Sequence, residues 1–332
     1  MLQWSPLVEN RFGKCLAQGL LALIGFSALL NGQAGAAPYP NHPIEIIVAF
    51  GAGGSTDFVA RVVAQKLSDR LGQSVVVVNR PGANGAVGIN AARRAAPDGY
   101  TLFVGYTAEL VVLPEISKSA DFSADDFEPI AVTGMVPMVL MASKNLKANN
   151  LKDLVEELRA NPGKYNYGGS TGSPPHLVGA WVAKLKGLDL LHVPYRGGAQ
   201  VVTDVIGGHV DMVYAGVSAV KPGVDSGQAK GIAITGDKRS PALPDVPTFK
   251  EAGMPELDLT SWSMLLAPKG TPKEIIDLLK KETMVVLADP EVKEILAKQG
   301  IDAGSGQDPR AFLRAEQEKF KKVVHDLNIT MD

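Results

Sequence analysis

Hydrophobic and polar positions follow two rhythms along this chain. Ile44–Phe50 (IEIIVAF) is a short apolar run rich in β-branched residues, the mark of a buried strand. After a Gly-rich loop, Val59, Val63, Leu67 and Leu71 recur every four residues, predicting a helix that Ser55 caps and Gly72 stops. Val75–Val78 reads as the next strand and Asn79–Asn84 as a Gly/Pro loop. A helix from about Gly85 ends before Pro97, and Tyr100–Gly105 is a third strand. This βαβαβ series is the pattern of a parallel sheet covered on both faces.

The pattern resumes after residue 150. Leu151–Ala160 is an amphipathic helix with Asn150 as cap and Pro162 beyond its end. Lys164–Tyr167, Leu190–Val193, Val210–Ala215 and Gly231–Thr235 read as strands; His176–Lys186 and a segment ending near Ile206 read as helices. Two extended segments stand apart: Pro129–Ala142, broken by Pro137, and Leu257–Ala267, which contains Trp262. The remainder is helical: Pro272–Leu287, Pro290–Gln299 and Pro309–Leu327, each with Pro in or near its first turn. Three helices without strands do not make a further domain, so they are expected to pack on the first lobe. The two extended segments then become crossovers, the layout of a hinge. The expected fold class is α/β, with two parallel-rich sheets and flanking helices. Lobe 1 is residues 37–135 plus 262–332, lobe 2 is 136–261, and the crossovers lie near 130–140 and 257–266.

Ligands of open α/β sheets bind beyond the carboxyl ends of the strands. Four Gly-rich loops are expected there: GAGGSTD (51–57), NRPGANG (79–85), GGSTGSPPH (168–176) and PYRGG (194–198). Glycines admit a close backbone approach, and helix N-termini offer unpaired N–H groups to an anion. Facing loops of this kind suit a small acid. Four to six donors at ~1.5–3 kcal/mol each reach the ~8 kcal/mol of a micromolar complex before ordering costs.

Each loop has a rival reading. GAGGSTD lacks the third glycine of a dinucleotide fingerprint, having Thr56 there, and Asn79 stands where the ribose-binding acid belongs. Gly168-Gly-Ser-Thr-Gly172 matches a nucleophile elbow with Ser170, but His209 and His325 are poorly placed to complete a triad. No two histidines have metal-ligand spacing on one helix, so neither metal nor cofactor is expected. His176 is either a ligand donor or a first-turn residue. Arg80 and Arg196 are either carboxylate forks or solvated loop charges. Asp57 is either a first-turn dipole partner or an acceptor for an ammonium group, and Glu109 either faces the cleft or points away.

Composition narrows the partners. The 332 residues carry 33 Lys plus Arg against 35 Asp plus Glu, with 45% hydrophobic residues. That is ordinary globular composition, and a net charge of -2 without a basic run argues against nucleic acid. Arg11 and Lys14 precede the apolar run Cys15–Leu30, which leads to Ala34-Gly-Ala36. This predicts a cleaved signal peptide over residues 1–36 and export of a chain without cysteine, since Cys15 is the only one. A monomer is the default.

The string PYPNHPIEIIVAFGAGGSTDFVARVVAQKL, with VVVVNRPGANGAVG and PDGYTL after it, resembles the substrate-binding proteins of tripartite tricarboxylate transporters, the Bug family. The likeness continues through HVPYRGGAQ, GHVDMVYA, LPDVPTFKEAG and SWSMLLAPKGTP and covers about 40–325. It implies a periplasmic type II clamshell that binds a small carboxylate, aromatic acid or amino acid and delivers it to integral membrane subunits of a transporter. It also implies a ligand carboxylate held by Gly53, Gly54, Ser55, Thr56 and Asp57 together with Ala83, Asn84 and Gly85. Opposite them it places Ser170, Thr171 and Ser173, with His176, and Tyr195, Arg196 and Gly197. Tyr106 and Thr107 belong to YTAEL, which departs from the small polar residues expected there. The alternatives are a receptor feeding a sensor kinase and a secreted hydrolase using Ser170.

Overall fold

The first apolar run becomes β1 (Ile44–Val48), flanked in parallel by β2 (Val75–Asn79) and β3 (Thr101–Tyr106). A computed structural model describes residues 38–195 and 198–331, and from His42 onward the chain forms one compact unit. The expected signal segment, residues 1–36, and the site candidates Arg196 and Gly197 lie outside the described residues. The next strand, β4 (Phe127–Val136), joins the same sheet, whereas β5 (Met138–Ser143) joins a second one. Pro137 separates them, a residue that cannot donate to a ladder.

The second sheet is built from β5, β6 (Asn166–Gly169), β7 (Leu191–Pro194), β8 (Met212–Gly216) and β9 (Ala229–Ile234). β6 pairs in parallel with β7 and β8, while β5 lies antiparallel to β8 and β9. The chain then returns to the first sheet as β10 (Ser261–Pro268), antiparallel to both β3 and β4, and a short β11 (Asp302–Ala303) closes its edge. Among the described residues the orders are β11-β4-β10-β3-β1-β2 and β7-β6-β8-β5-β9. Each sheet is thus parallel at its loop-bearing strands and antiparallel where the chain enters and leaves. Two sheets with flanking helices in this order are consistent with a clamshell-type periplasmic binding fold.

The helices bury their apolar stripes as periodicity requires. Val59, Val63 and Leu67 of the helix Ser55–Leu71 are fully buried. Trp262 of β10 is also fully buried; its indole N–H donates to Glu316 at 2.7 Å and its ring meets Phe312 edge-on. Both partners belong to the last helix, Pro309–Leu327. That helix packs on β4 and also on the helix Pro174–Lys186 of the second sheet. Lys184 of the second-sheet helix donates to the Asp326 carbonyl.

Three local expectations change. Gly54, in extended conformation, precedes the first helix, so Ser55 is its first residue and its side chain caps nothing. The second-sheet helix begins at Pro174, two residues before His176. Residues Ala108–Val112 form a π-helical turn continuing into Leu113–Ile116, and Val217–Asp225 is helical despite Pro222. The pattern predicted neither.

Candidate functional site

The loops following β1, β2 and β6, with the start of the helix Gly198–Ile206 after β7, converge at the carboxyl ends of the parallel strands. Between the two sheets they line a cavity of about 390 Å³. From the first sheet come Phe50 and Gly51, Pro81–Gly85, and Tyr106 with Ala108. From the second come Gly168–Pro175, Gly198 and Val201.

The first loop is fixed from behind by an ionic staple. Asp57 is buried and accepts from the Gly53 amide at 2.9 Å, from Arg61 at 2.9–3.0 Å and from the Asn79 side-chain amide at 2.8 Å. Asn79 also donates to the Phe50 carbonyl and accepts from Arg61. Burial pushes the Asp57 carboxyl up, but Arg61, Gly53 and Asn79 together hold it below the usual carboxylate range. Of the GAGGSTD loop only Gly51 reaches the cavity wall; Gly53, Gly54, Ser55, Thr56 and Asp57 sit behind it. Arg61 was not among the expected site residues.

The second loop of this sheet carries the strain. Ala83, Asn84 and Gly85 all have positive φ, at 45°, 53° and 99°. Such backbone persists where its surroundings impose it, commonly at binding sites. The Ala83 and Asn84 amides make no hydrogen bond among the described residues, and both residues line the cavity. Gly85 leans on a buried carboxyl: a Cβ here would come within 3.0 Å of Glu109 Cβ. Glu109 accepts from the Tyr106 amide through Oε1 at 2.7 Å, while Oε2 has no partner. Burial pushes this carboxyl up to about 8. Tyr106 lines the cavity, its ring edge-on to Phe50. Thr107 is turned inward, donating to the Trp262 carbonyl and accepting its amide.

The second-sheet loop is held without ionised groups. His176 Nδ1 accepts the Gly172 amide at 3.1 Å, and His192 Nε2 lies 3.0 Å from the Gly169 carbonyl. The two imidazoles stack at 3.9 Å against Tyr167. Burial, and secondarily His192, push the His176 imidazole down to about 4. Its Nδ1 must be unprotonated to accept the Gly172 N–H. Ser170, Thr171 and Ser173 line the cavity, and Ser173 Oγ is a buried hydroxyl without a partner. The Ser173 amide is already used by the Ser170 carbonyl. Pro174 and Pro175 open the following helix and have no N–H, so its first two positions offer no amide to a ligand. Tyr195 donates to Asp204 at 2.6 Å and does not line the cavity; nor do His176 and Thr107. Arg80 pairs with Glu45 on the surface at 3.3 Å.

The apolar part of the wall went unforeseen. Leu113 and Ile116 come from the unpredicted helical turn, Val213 and Tyr214 from β8, and Met331 from the C-terminal segment. A Cβ on Gly172, where φ is 75°, would come within 2.4 Å of Ile116, so the two sides of the cavity nearly touch there.

Residues 59–329 match the model of the tripartite tricarboxylate transporter family receptor. Protein BugT of Bordetella pertussis is 36% identical over 315 residues, covering 92% of this chain and 97% of that one. A solved periplasmic transporter protein shares 38% identity with a TM-score of 0.78, over 89% of this chain and all of the other. An R. palustris protein solved with adipate shares 31% at a TM-score of 0.79, over 88% and 99%. Family and fold are those of binding proteins rather than catalysts, and Ser170 bonds to no imidazole among the described residues. The cavity between two Gly-rich loop sets therefore sits in a chain that belongs to the tripartite tricarboxylate transporter receptor family, the periplasmic solute-binding proteins of the TctC and Bug type.

Proposed function

We propose that this protein captures a small organic acid between its two sheets and presents it to the integral membrane subunits of a tripartite tricarboxylate-type transporter. Residues 1–36 act as the export signal, and the receptor works as a monomer in the periplasm. Lobe 1 (37–135 plus 262–332) and lobe 2 (136–261) close about the passages near 130–140 and 257–266, and the closed form is the one the transporter recognises. Ala83, Asn84, Gly85 and Tyr106 contact the ligand from one side, and Ser170, Thr171 and Ser173 from the other. Asp57 and His176 hold the loops in place.

The observation that carries this reading is the convergence of unpaired donors on one cavity: the Ala83 and Asn84 amides and the Ser173 hydroxyl. Ala83 and Asn84 are exposed, so water can reach their amides until a ligand replaces it, whereas the buried Ser173 hydroxyl costs free energy until a ligand or water satisfies it. The adipate-bound relative supports an organic acid as the occupant.

A thermal-shift screen against carboxylic acids tests it. A ligand at 100 times its dissociation constant adds ~2.7 kcal/mol and raises the melting temperature by several degrees. Ser173→Ala should weaken the best ligand roughly tenfold and leave the ligand-free melting temperature nearly unchanged. A panel of acids with no shift sinks the receptor reading. An unchanged affinity in Ser173→Ala sinks the assignment of that hydroxyl.

A further inference from the structure

The donors of the cavity gather on its loops, and among the described residues the rest of its wall carries no charge. Among its described residues there is no carboxylate, ammonium, guanidinium or imidazole. Leu113 and Ile116, both buried, face it from the first sheet, with Val201 and Val213 from the second. Met331 lies near the junction of both sides: its amide donates to the Ile116 carbonyl, and Asn84 Nδ2 sits 3.5 Å from its sulfur. The tyrosines that reach the wall, Tyr106 and Tyr214, are phenols kept neutral by burial. Close behind Gly85 lies Glu109, a buried carboxyl with one oxygen unpaired, so no cation waits on that side for a second anion.

We infer that the cleft selects an acid with a single carboxylate and an apolar body, aromatic or alkyl, and that Leu113, Ile116 and Met331 reject a second carboxylate. The inference rests on the receptor reading and narrows its ligand class. One carboxylate satisfies the loop amides and hydroxyls. The rest of the molecule must then lie against Leu113, Ile116 and Met331, where apolar surface gains from contact and a charge would be stripped of water without a partner. A site built this way discriminates by the cost imposed on the wrong ligand as much as by contacts to the right one.

Matched pairs test it by calorimetry on the purified protein: hexanoate against adipate, and benzoate against terephthalate. In each pair the second member carries a carboxylate at its far end, in place of the terminal methyl of hexanoate or the para hydrogen of benzoate. The expected result is that the monocarboxylate of at least one pair binds roughly tenfold or more tightly than its partner. Met331→Arg, at a partly exposed position, should narrow or reverse that ratio by supplying a cation. Ile116→Lys is a second variant of the same kind at a buried position. Equal affinity within both pairs, or tighter binding of the dicarboxylates, overturns the selectivity and leaves the receptor reading standing. Binding of none of the four overturns the inference, and with negative results across the wider acid panel it overturns the receptor reading too.

Discussion

The loop after β1 and the loop after β6 face the same cavity and are immobilised by opposite chemistry. Behind the first stands an ionised network, Asp57 with Arg61 and Asn79, in which Arg61 keeps half its side-chain surface in water. Behind the second stand two stacked neutral imidazoles, His176 and His192. A Gly-rich loop gains little from side-chain packing and must be pinned through its peptide groups. A carboxylate pins amides well because it accepts several at once. An imidazole pins one amide, and only while neutral. The difference gives the two sides of the cleft different sensitivities to charge removal and to acid.

The largest expected effect comes from cutting the ionic staple. Asp57→Ala leaves the Gly53 amide, Arg61 and Asn79 without their shared acceptor. Losing such a pair costs about 2–4 kcal/mol, lessened by the exposure of Arg61. The melting temperature should fall by roughly 5–10 °C, and ligand affinity should fall with it. A melting temperature within a degree or two of wild type would mean that the loop does not depend on this network.

Acid should separate the two sides in sequence. The folded protein holds His176 below its unfolded value of 6.5, at about 4, so the unfolded chain takes up the proton first. Stability is therefore full above pH 6.5 and declines as pH falls toward 4. Asp57 is depressed below 3.8, so its contribution is intact above 3.8 and is lost only at lower pH. Relative to His176→Gln, whose side-chain oxygen can still accept the Gly172 amide, the melting temperature of the ligand-free wild type should decline through the first window. A difference between the two that stays constant from pH 7 to 4 would erase the contrast.

The last effect, opposite in sign to that of His176, concerns the loop after β2, which rests on Glu109. This carboxyl is raised from 4.5 to about 8, so the folded chain keeps its proton longer than the unfolded one. Stability is fully present below 4.5 and declines as pH rises toward 8. Glu109→Gln should match wild type near pH 5 and melt a few degrees higher near pH 8. A variant less stable than wild type at pH 8 would mean that the carboxylate has a counter-charge there.

Much of the scaffold was legible from sequence because strands with both faces buried and amphipathic helices impose their own periods. Ile44–Phe50 and the Val59–Leu71 stripe are examples. The polar rim of the site was legible for the same reason, since glycine clusters after strands mark loops. The turn Ala108–Ile116 was not: AELVVLPEI is an apolar run with only two glutamates and a proline, so periodicity marked no face. The apolar wall was equally hidden. Val213 and Tyr214 look like any strand residues, and Met331 is brought to the cavity only by the tertiary fold. Asp57 could be read as a dipole partner from sequence, but its attachment to Gly53 and Asn79 required the loop to fold back on β2.

Pro174 and Pro175 carry one more consequence, in the time domain. A helix normally greets an anion with its first free N–H groups, and these two positions have none. On this side the donors are therefore the amides and hydroxyls of Ser170 and Thr171 and the Ser173 hydroxyl, all in the loop ahead of the helix. Changes at 170–173 should therefore chiefly alter the residence time of a bound acid.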